Sequence, residues 1–223
     1  MLSLNSRINL ITTLLISLVE FIVFYLLEYN NTLAEHNGLG KIITTLFGVT
    51  TPRTAGFNTI DTTALYLPTL LMVMLLMWIG ATPQSTGGGI KTSTFAIALL
   101  NVLSLARGRS RIEVFRREIA DVSIRRAFAI ITLSFVVIGM AIILISIFDP
   151  GKKLIDIAFG FFSAYGTVGL SMGITSDLSS AGKVIIIVVM FVGRVSMLSI
   201  AIAAFRKIKH ENYTYPKEEI TIN

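Results

Sequence analysis

The 223 residues are 53% hydrophobic and 14% charged, with a mean hydropathy of +0.77; soluble domains carry about 25% charged residues, so this composition excludes a water-soluble globular protein. The formal charge of +6 gathers in two places, seven arginines between Arg107 and Arg126 and the cluster Arg206, Lys207 and Lys209. Basic residues flanking apolar runs mark the cytoplasmic side of a membrane, so the charge reads as topology and not as a nucleic-acid surface. The absence of cysteine removes disulfides and thiolate metal sites.

In chain order, the first apolar stretch is Ile8–Leu27. Its length of about 20 residues suits a membrane span, and no small-residue cleavage site of a signal peptide follows it. Glu20 interrupts the run and requires burial against protein or an interfacial position. Next comes Gly40–Thr50, too short to cross, since a helical crossing takes about 20 residues. It leads through Thr51-Pro52-Arg53 into Thr54-Ala55-Gly56-Phe57-Asn58.

The second apolar stretch runs from Leu65 to Gly80 and continues to Leu105. As one helix it would be about 60 Å long, twice a bilayer core. Its centre is Gly80-Ala81-Thr82-Pro83-Gln84-Ser85-Thr86-Gly87-Gly88-Gly89-Ile90-Lys91, where proline and three successive glycines break the helix. We therefore expect a short outer helix, an irregular intramembrane loop and an inner helix from about Thr92. A phosphate-binding loop is excluded at Ser85–Thr92, because Ile90 separates Gly89 from Lys91 where that motif has Gly-Lys in succession.

After the basic segment a third stretch covers Ala127–Phe148, a short one Leu154–Tyr165, and a last one Val184–Phe205. The short piece leads into Thr167-Val168-Gly169-Leu170-Ser171, so the pattern Thr-small-Gly-apolar-polar occurs twice, with its glycines 113 positions apart. Short helices that enter but do not cross are tolerated in membranes only where protein or a cavity surrounds them. The chain thus reads as span, half-helix, glycine loop and span, twice over. With Arg107–Arg126 and the tail both basic, both termini face the cytoplasm and both glycine loops lie towards the outside.

The two glycine loops resemble the Thr-Val-Gly-Tyr-Gly filter of potassium channels, in which backbone carbonyls replace the hydration shell of K⁺. The longer segments resemble the bacterial Ktr/Trk potassium-uptake family. Thr51–Thr59 is similar to its third filter, Gly80–Lys91 with Thr92-Ser93-Thr94-Phe95 to its intramembrane gating loop, Ser163–Ser171 to its fourth filter, and Phe191-Val192-Gly193-Arg194-Val195 to the arginine motif of its last helix. These matches fall in family order over about Asn5 to Phe205 and most resemble the C-terminal half of the Ktr membrane subunit. Gln84 and Ser196 depart from the family, which often has glycine at both positions.

The resemblance implies an all-α polytopic membrane protein carrying the third and fourth of four span–pore helix–filter–span repeats. The units would be residues 5–106, a basic cytoplasmic loop 107–126, residues 127–206, and a cytoplasmic tail 207–223. Thr54, Ala55, Gly56 and Phe57 with Thr167, Val168, Gly169 and Leu170 would bind the ion, and Thr54 and Thr167 could add hydroxyls or merely cap local backbone. Residues Gly80, Ala81, Thr82, Pro83, Gln84, Ser85, Thr86, Gly87, Gly88, Gly89 and Lys91 would form the gate, with Arg194 as a latch on it. Asn58 and Ser171 would brace the outer mouth, and Asp61 and Asp177 would concentrate cations there.

The implied cargo is K⁺, with Na⁺ possible because a first-repeat filter position shifts preference in this family and lies outside these residues. The implied partners are an N-terminal half or a full-length subunit, a second copy as homodimer, a cytosolic nucleotide-binding regulatory subunit docking on Arg107–Arg126 and the tail, and membrane lipid, in a bacterial plasma membrane. Two rival readings remain: a truncated fragment that only associates with full-length subunits, and a cation-coupled secondary transporter, for which Glu20 is the one carboxylate placed to couple. His36 and His210 have no second ligand at metal spacing, and no catalytic triad or carboxylate pair points to an enzyme.

Overall fold

The computed structural model describes residues 3–204 except Gln84 and Ser110; the tail 207–223 and Arg206, Lys207 and Lys209 lie outside it. Eight α-helices occur among the described residues: α1 Leu4–Glu28, α2 Gly38–Thr50, α3 Leu67–Trp78, α4 Thr92–Ala106, α5 Asp121–Phe148, α6 Leu154–Tyr165, α7 Ser180–Val195 and α8 Met197–Ala204. Among the described residues only α1 and α5 are both long and apolar enough to cross a membrane. Side chains such as Leu14, Leu18, Leu26, Ile143 and Ile147 stay exposed on them. That outer surface suits hydrocarbon and not water.

Local chemistry sets the helix ends. Asn37 caps α2, its side-chain oxygen accepting from Gly40 N–H at 2.7 Å, and Ser179 caps α7 through Gly182 N–H at 3.1 Å. Pro68 opens α3, where its missing N–H costs nothing. The apolar run that follows Leu65 breaks after Trp78 and resumes at Thr92, as the glycines and Pro83 require. The broken ends remain stitched: Ile90 N–H donates to Trp78 O at 3.0 Å and Gly80 N–H to Ile90 O at 2.8 Å.

Two boundaries differ from expectation. Helix α5 begins at Asp121, six residues inside the basic segment, so Arg125 and Arg126 ride on its first turns. The rest of that segment folds as a hairpin, β1 Glu113–Val114 against β2 Arg117–Glu118. The last apolar stretch is not one continuous helix either: it starts at Ser180 and breaks at Ser196, whose φ is +74°. That conformation cannot continue a right-handed helix.

Helix α6 lies at the centre, against α3, α5 and α7, while α1 packs on α2, α3 and α4. One apolar core gathers Trp78, Ile138, Ile145, Phe161 and Tyr165. A second joins Phe24, Leu33, Met77 and Phe159 to Val168 and Leu170, so the loop after α6 is backed by core side chains.

Candidate functional site

Helices α2 and α6 each end at one of the two glycine loops. A helix C-terminus carries a partial negative charge from its unsatisfied carbonyls, so both loops lie in a field that favours cations. Within each loop every second residue is left-handed: Thr54 (φ 68°) and Gly56 (φ 72°) in the first, Thr167 (φ 51°) and Gly169 (φ 96°) in the second. An ordinary extended strand alternates its carbonyls to opposite sides. Alternating the hand of φ turns successive carbonyls the same way, which is how a short backbone segment presents a column of oxygens. Glycine adopts positive φ freely; threonine does so at a cost of about 1–2 kcal/mol.

The two loops touch. A Cβ built on Gly56 would stand 2.0 Å from the Val168 carbonyl oxygen, so an alanine there would collide with the opposite backbone. The threonine hydroxyls are occupied: Thr54 Oγ1 donates to Gly166 O at 3.3 Å, and Thr167 Oγ1 accepts from Gly88 N–H at 2.9 Å. Both hydroxyls bond backbone in this arrangement, and each oxygen keeps at least one lone pair. Thr51 Oγ1 donates to Phe57 O at 2.6 Å, and Val168 N–H to Ser163 O at 2.9 Å. These bonds fix the loops at both ends.

Behind the first loop Glu20 and Arg53 form a buried ion pair, N to O 3.3 Å, with side-chain exposures of 4% and 13%. The carboxylate that the sequence left as a candidate coupling site is therefore engaged with Arg53. At the other end, Glu28 is wholly buried and accepts from Asn31 Nδ2 (2.8 Å), Thr32 Oγ1 (2.9 Å) and Tyr66 N–H (3.0 Å). Sequence reasoning missed both uses. Their signal was faint, an acidic residue within or at the end of an apolar run.

The segment Gly80–Lys91 packs directly beneath this pair of loops. Gly88 N–H bonds Thr167 as above, Gly89 N–H donates to Tyr165 O at 3.1 Å, and Gly87 lies against the Thr54 side chain. Lys91 Nζ donates to Gly87 O. Gln84 lies outside the described residues. Arg194, expected to bond this segment, is exposed and makes no hydrogen bond to it among the described residues. Its neighbour Gly193 is the α7 residue turned to the C-terminus of α6, with its missing Cβ only 2.0 Å from Tyr165 O. Arg194 still lies within coulombic range of Lys91.

At the rim, Ser171 Oγ pairs with Thr175 Oγ1 at 2.9 Å, and Thr62 Oγ1 reaches across to Ser171 O at 3.0 Å. Asp61 accepts from the Thr63 hydroxyl at 2.7 Å and the Thr63 N–H at 2.9 Å. Those two bonds, the hydroxyl first, hold its carboxyl below the usual range. Asp177 lies 3.8 Å from Lys152, so only Asp61 of the two expected mouth carboxylates stands without an ion pair among the described residues.

The chain is 38% identical over 220 residues to the Ktr system potassium uptake protein B of Bacillus subtilis, covering 98% of this chain and 49% of the relative. It is 37% identical over 226 residues to the potassium/sodium uptake protein NtpJ of Enterococcus hirae, covering 99% and 50%. The chain thus spans about half the length of the curated relatives it matches. Among solved structures, the potassium transporter TrkH from Vibrio parahaemolyticus superposes with a TM-score of 0.75 at 18% identity, over 87% of this chain and 43% of that one. The likeness is one of fold, mainly helical in both. Residues 6–215 match the family described as TrkH, cation transport protein, and the chain belongs to that family.

Proposed function

We propose that this chain supplies two of the four walls of a pore for monovalent cations, K⁺ foremost, and that the Gly80–Lys91 segment gates it. The observation that carries the reading is the alternation of left-handed residues at Thr54/Gly56 and Thr167/Gly169. It aims neighbouring carbonyls into one column at the negative ends of two short helices. The ion ligands are the carbonyls of Thr54 to Phe57 and Thr167 to Leu170, with the hydroxyls of Thr54 and Thr167 serving the scaffold. Residues 5–106 and 127–206 act as the two pore units. Na⁺ is the second candidate cargo, since one relative is named for both ions.

The segment Gly80–Lys91 obstructs the inner end of the pathway. Lys91 holds it through Gly87 O, while Arg194 adds only a like charge near Lys91. Retracting the segment opens the pore, and ions then move down their electrochemical gradient. By the positive-inside rule the arginine-rich hairpin and both termini face the cytoplasm of a bacterial plasma membrane. That exposed basic surface is the docking place for a cytosolic nucleotide-binding regulatory subunit. A ring needs two further filter strands, from an N-terminal half or from another subunit, and the complete assembly works as a homodimer.

Radiolabelled rubidium uptake in a bacterium lacking its own K⁺ uptake tests this. The chain is expressed alone and with the N-terminal half of the Bacillus subtilis relative, each with and without Gly56→Ala. Uptake that appears with the second half and falls at least tenfold in Gly56→Ala supports the reading. A chain that reaches the membrane yet never conducts in either setting overturns it in favour of the associating fragment. Uptake driven only by an imposed Na⁺ or H⁺ gradient overturns it in favour of a coupled transporter.

A further inference from the structure

The basic end of the bundle holds two adjoining cavities that the ion pathway does not use. One is an apolar groove of about 290 Å³ between α1 and α4, lined by Ile8, Leu15, Phe95, Leu99, Leu103 and Phe115 among others. The other, about 90 Å³, is lined by Arg107, Arg109 and Arg111 together with Ser104 and Glu113. Leu100, Leu103 and Val114 line both, so the two form one trough, apolar along its length and cationic at its end.

The loop that carries the arginines is built and not merely exposed. Ser104 Oγ donates to Arg111 O at 2.9 Å, Arg109 N–H donates to Ser104 O at 3.0 Å, and Ile112 packs with Ile8 and Ala96. The hairpin turn, with Phe115 and Arg116 both at positive φ, sets the Phe115 ring on the groove, and the Arg7 guanidinium lies 5.9 Å from that ring's centroid. Arg111 shares its charge with Glu118 at 3.6 Å. Among the described residues no ion pair engages Arg107 or Arg109, and Glu113 is the one carboxylate lining the cationic end.

We propose that this trough is a binding site for an anionic glycerophospholipid, with an acyl chain along the α1–α4 groove and the headgroup phosphate at Arg107, Arg109 and Arg111. The charge pattern selects this occupant. An amphiphile with an apolar tail and an anionic head matches the two ends, and guanidinium groups bind phosphate oxygens bidentately. The trough also lies where the apolar helices meet the basic loop, which is the depth of a lipid headgroup. The site stands apart from the pore reading and survives its failure.

The test is native mass spectrometry of the full chain in detergent, titrated with dioleoyl phosphatidylglycerol or with phosphatidylcholine of the same chains. The site predicts a phosphatidylglycerol adduct at concentrations where phosphatidylcholine leaves none. It also predicts about a tenfold loss of that affinity in Arg107→Gln/Arg109→Gln/Arg111→Gln, each arginine near a membrane surface being worth up to about a factor of five. The control Arg116→Gln/Arg117→Gln/Arg125→Gln removes equal charge from the same segment and changes affinity less than about twofold. Leu99→Trp fills the groove and weakens the adduct without altering charge. Equal binding of the two lipids, or equal loss in both triple variants, overturns the site. So does full competition by soluble glycerol 3-phosphate, which would reduce it to a phosphate site, or a mass doubling without any lipid adduct, which would put a second copy on this face.

Discussion

Glu20 and Arg53 bring two charges into an apolar interior, one on α1 and the other at the foot of the first glycine loop, beside Thr54. Removing one member of a buried pair leaves the other uncompensated, which costs on the order of 3 kcal/mol, whereas replacing both is far milder. Thermal unfolding in detergent of Glu20→Leu, Arg53→Leu and the double variant should therefore show strong non-additivity, the double being more stable than Arg53 left alone. Additive losses would mean that the pair contributes nothing as a pair. The partnership was not legible in the sequence, because 33 positions separate the residues and nothing in Arg53 announces its direction. The glycines of the two loops were legible from their repeated context. The left-handed threonines were not, since threonine gives no local sign of positive φ.

At the scale of elements, hydropathy and length located α1 to α7, and α2 and α6 are as short as Gly40–Thr50 and Leu154–Tyr165 suggested, well under the length of a crossing. The break between α7 and α8 escaped because a single serine in an apolar run carries no helix-breaking signal. Its backbone explains what the sequence could only record, the frequency of glycine here in the family resembled. A side chain at φ +74° is strained, and glycine is not. Ser196→Gly should stabilise the folded chain by about 1 kcal/mol, read as a rise in the detergent unfolding midpoint. A fall would mean that the serine side chain makes a compensating contact. The start of α5 at Asp121 was missed for a different reason: arginines are good helix formers, and a charge run alone does not say whether it is loop or helix.

At the scale of the whole molecule, the two proposed units are joined through α3 on α6 and α4 on α5, and their glycine loops meet where Gly56 abuts Val168. Gly169, the equivalent glycine of the second unit, has no heavy atom within 4 Å of its would-be Cβ. The first loop is covered by the second at this point, and the second is open at its own glycine. The Gly88–Thr167 hydrogen bond, 2.9 Å long, ties the segment proposed as the gate to the very loop whose carbonyls would hold the ion. Two events that share a hydrogen bond share a free energy, and linkage makes the influence mutual. On the proposed function, whatever withdraws the segment would retune ion affinity at Thr167, and cargo seated there would bias the segment by the same factor. Transported cations would then be ligands of their own gate. Amide hydrogen exchange at Gly88 should slow or quicken between K⁺ and a non-permeant cation, and an exchange rate indifferent to the ion would uncouple the two.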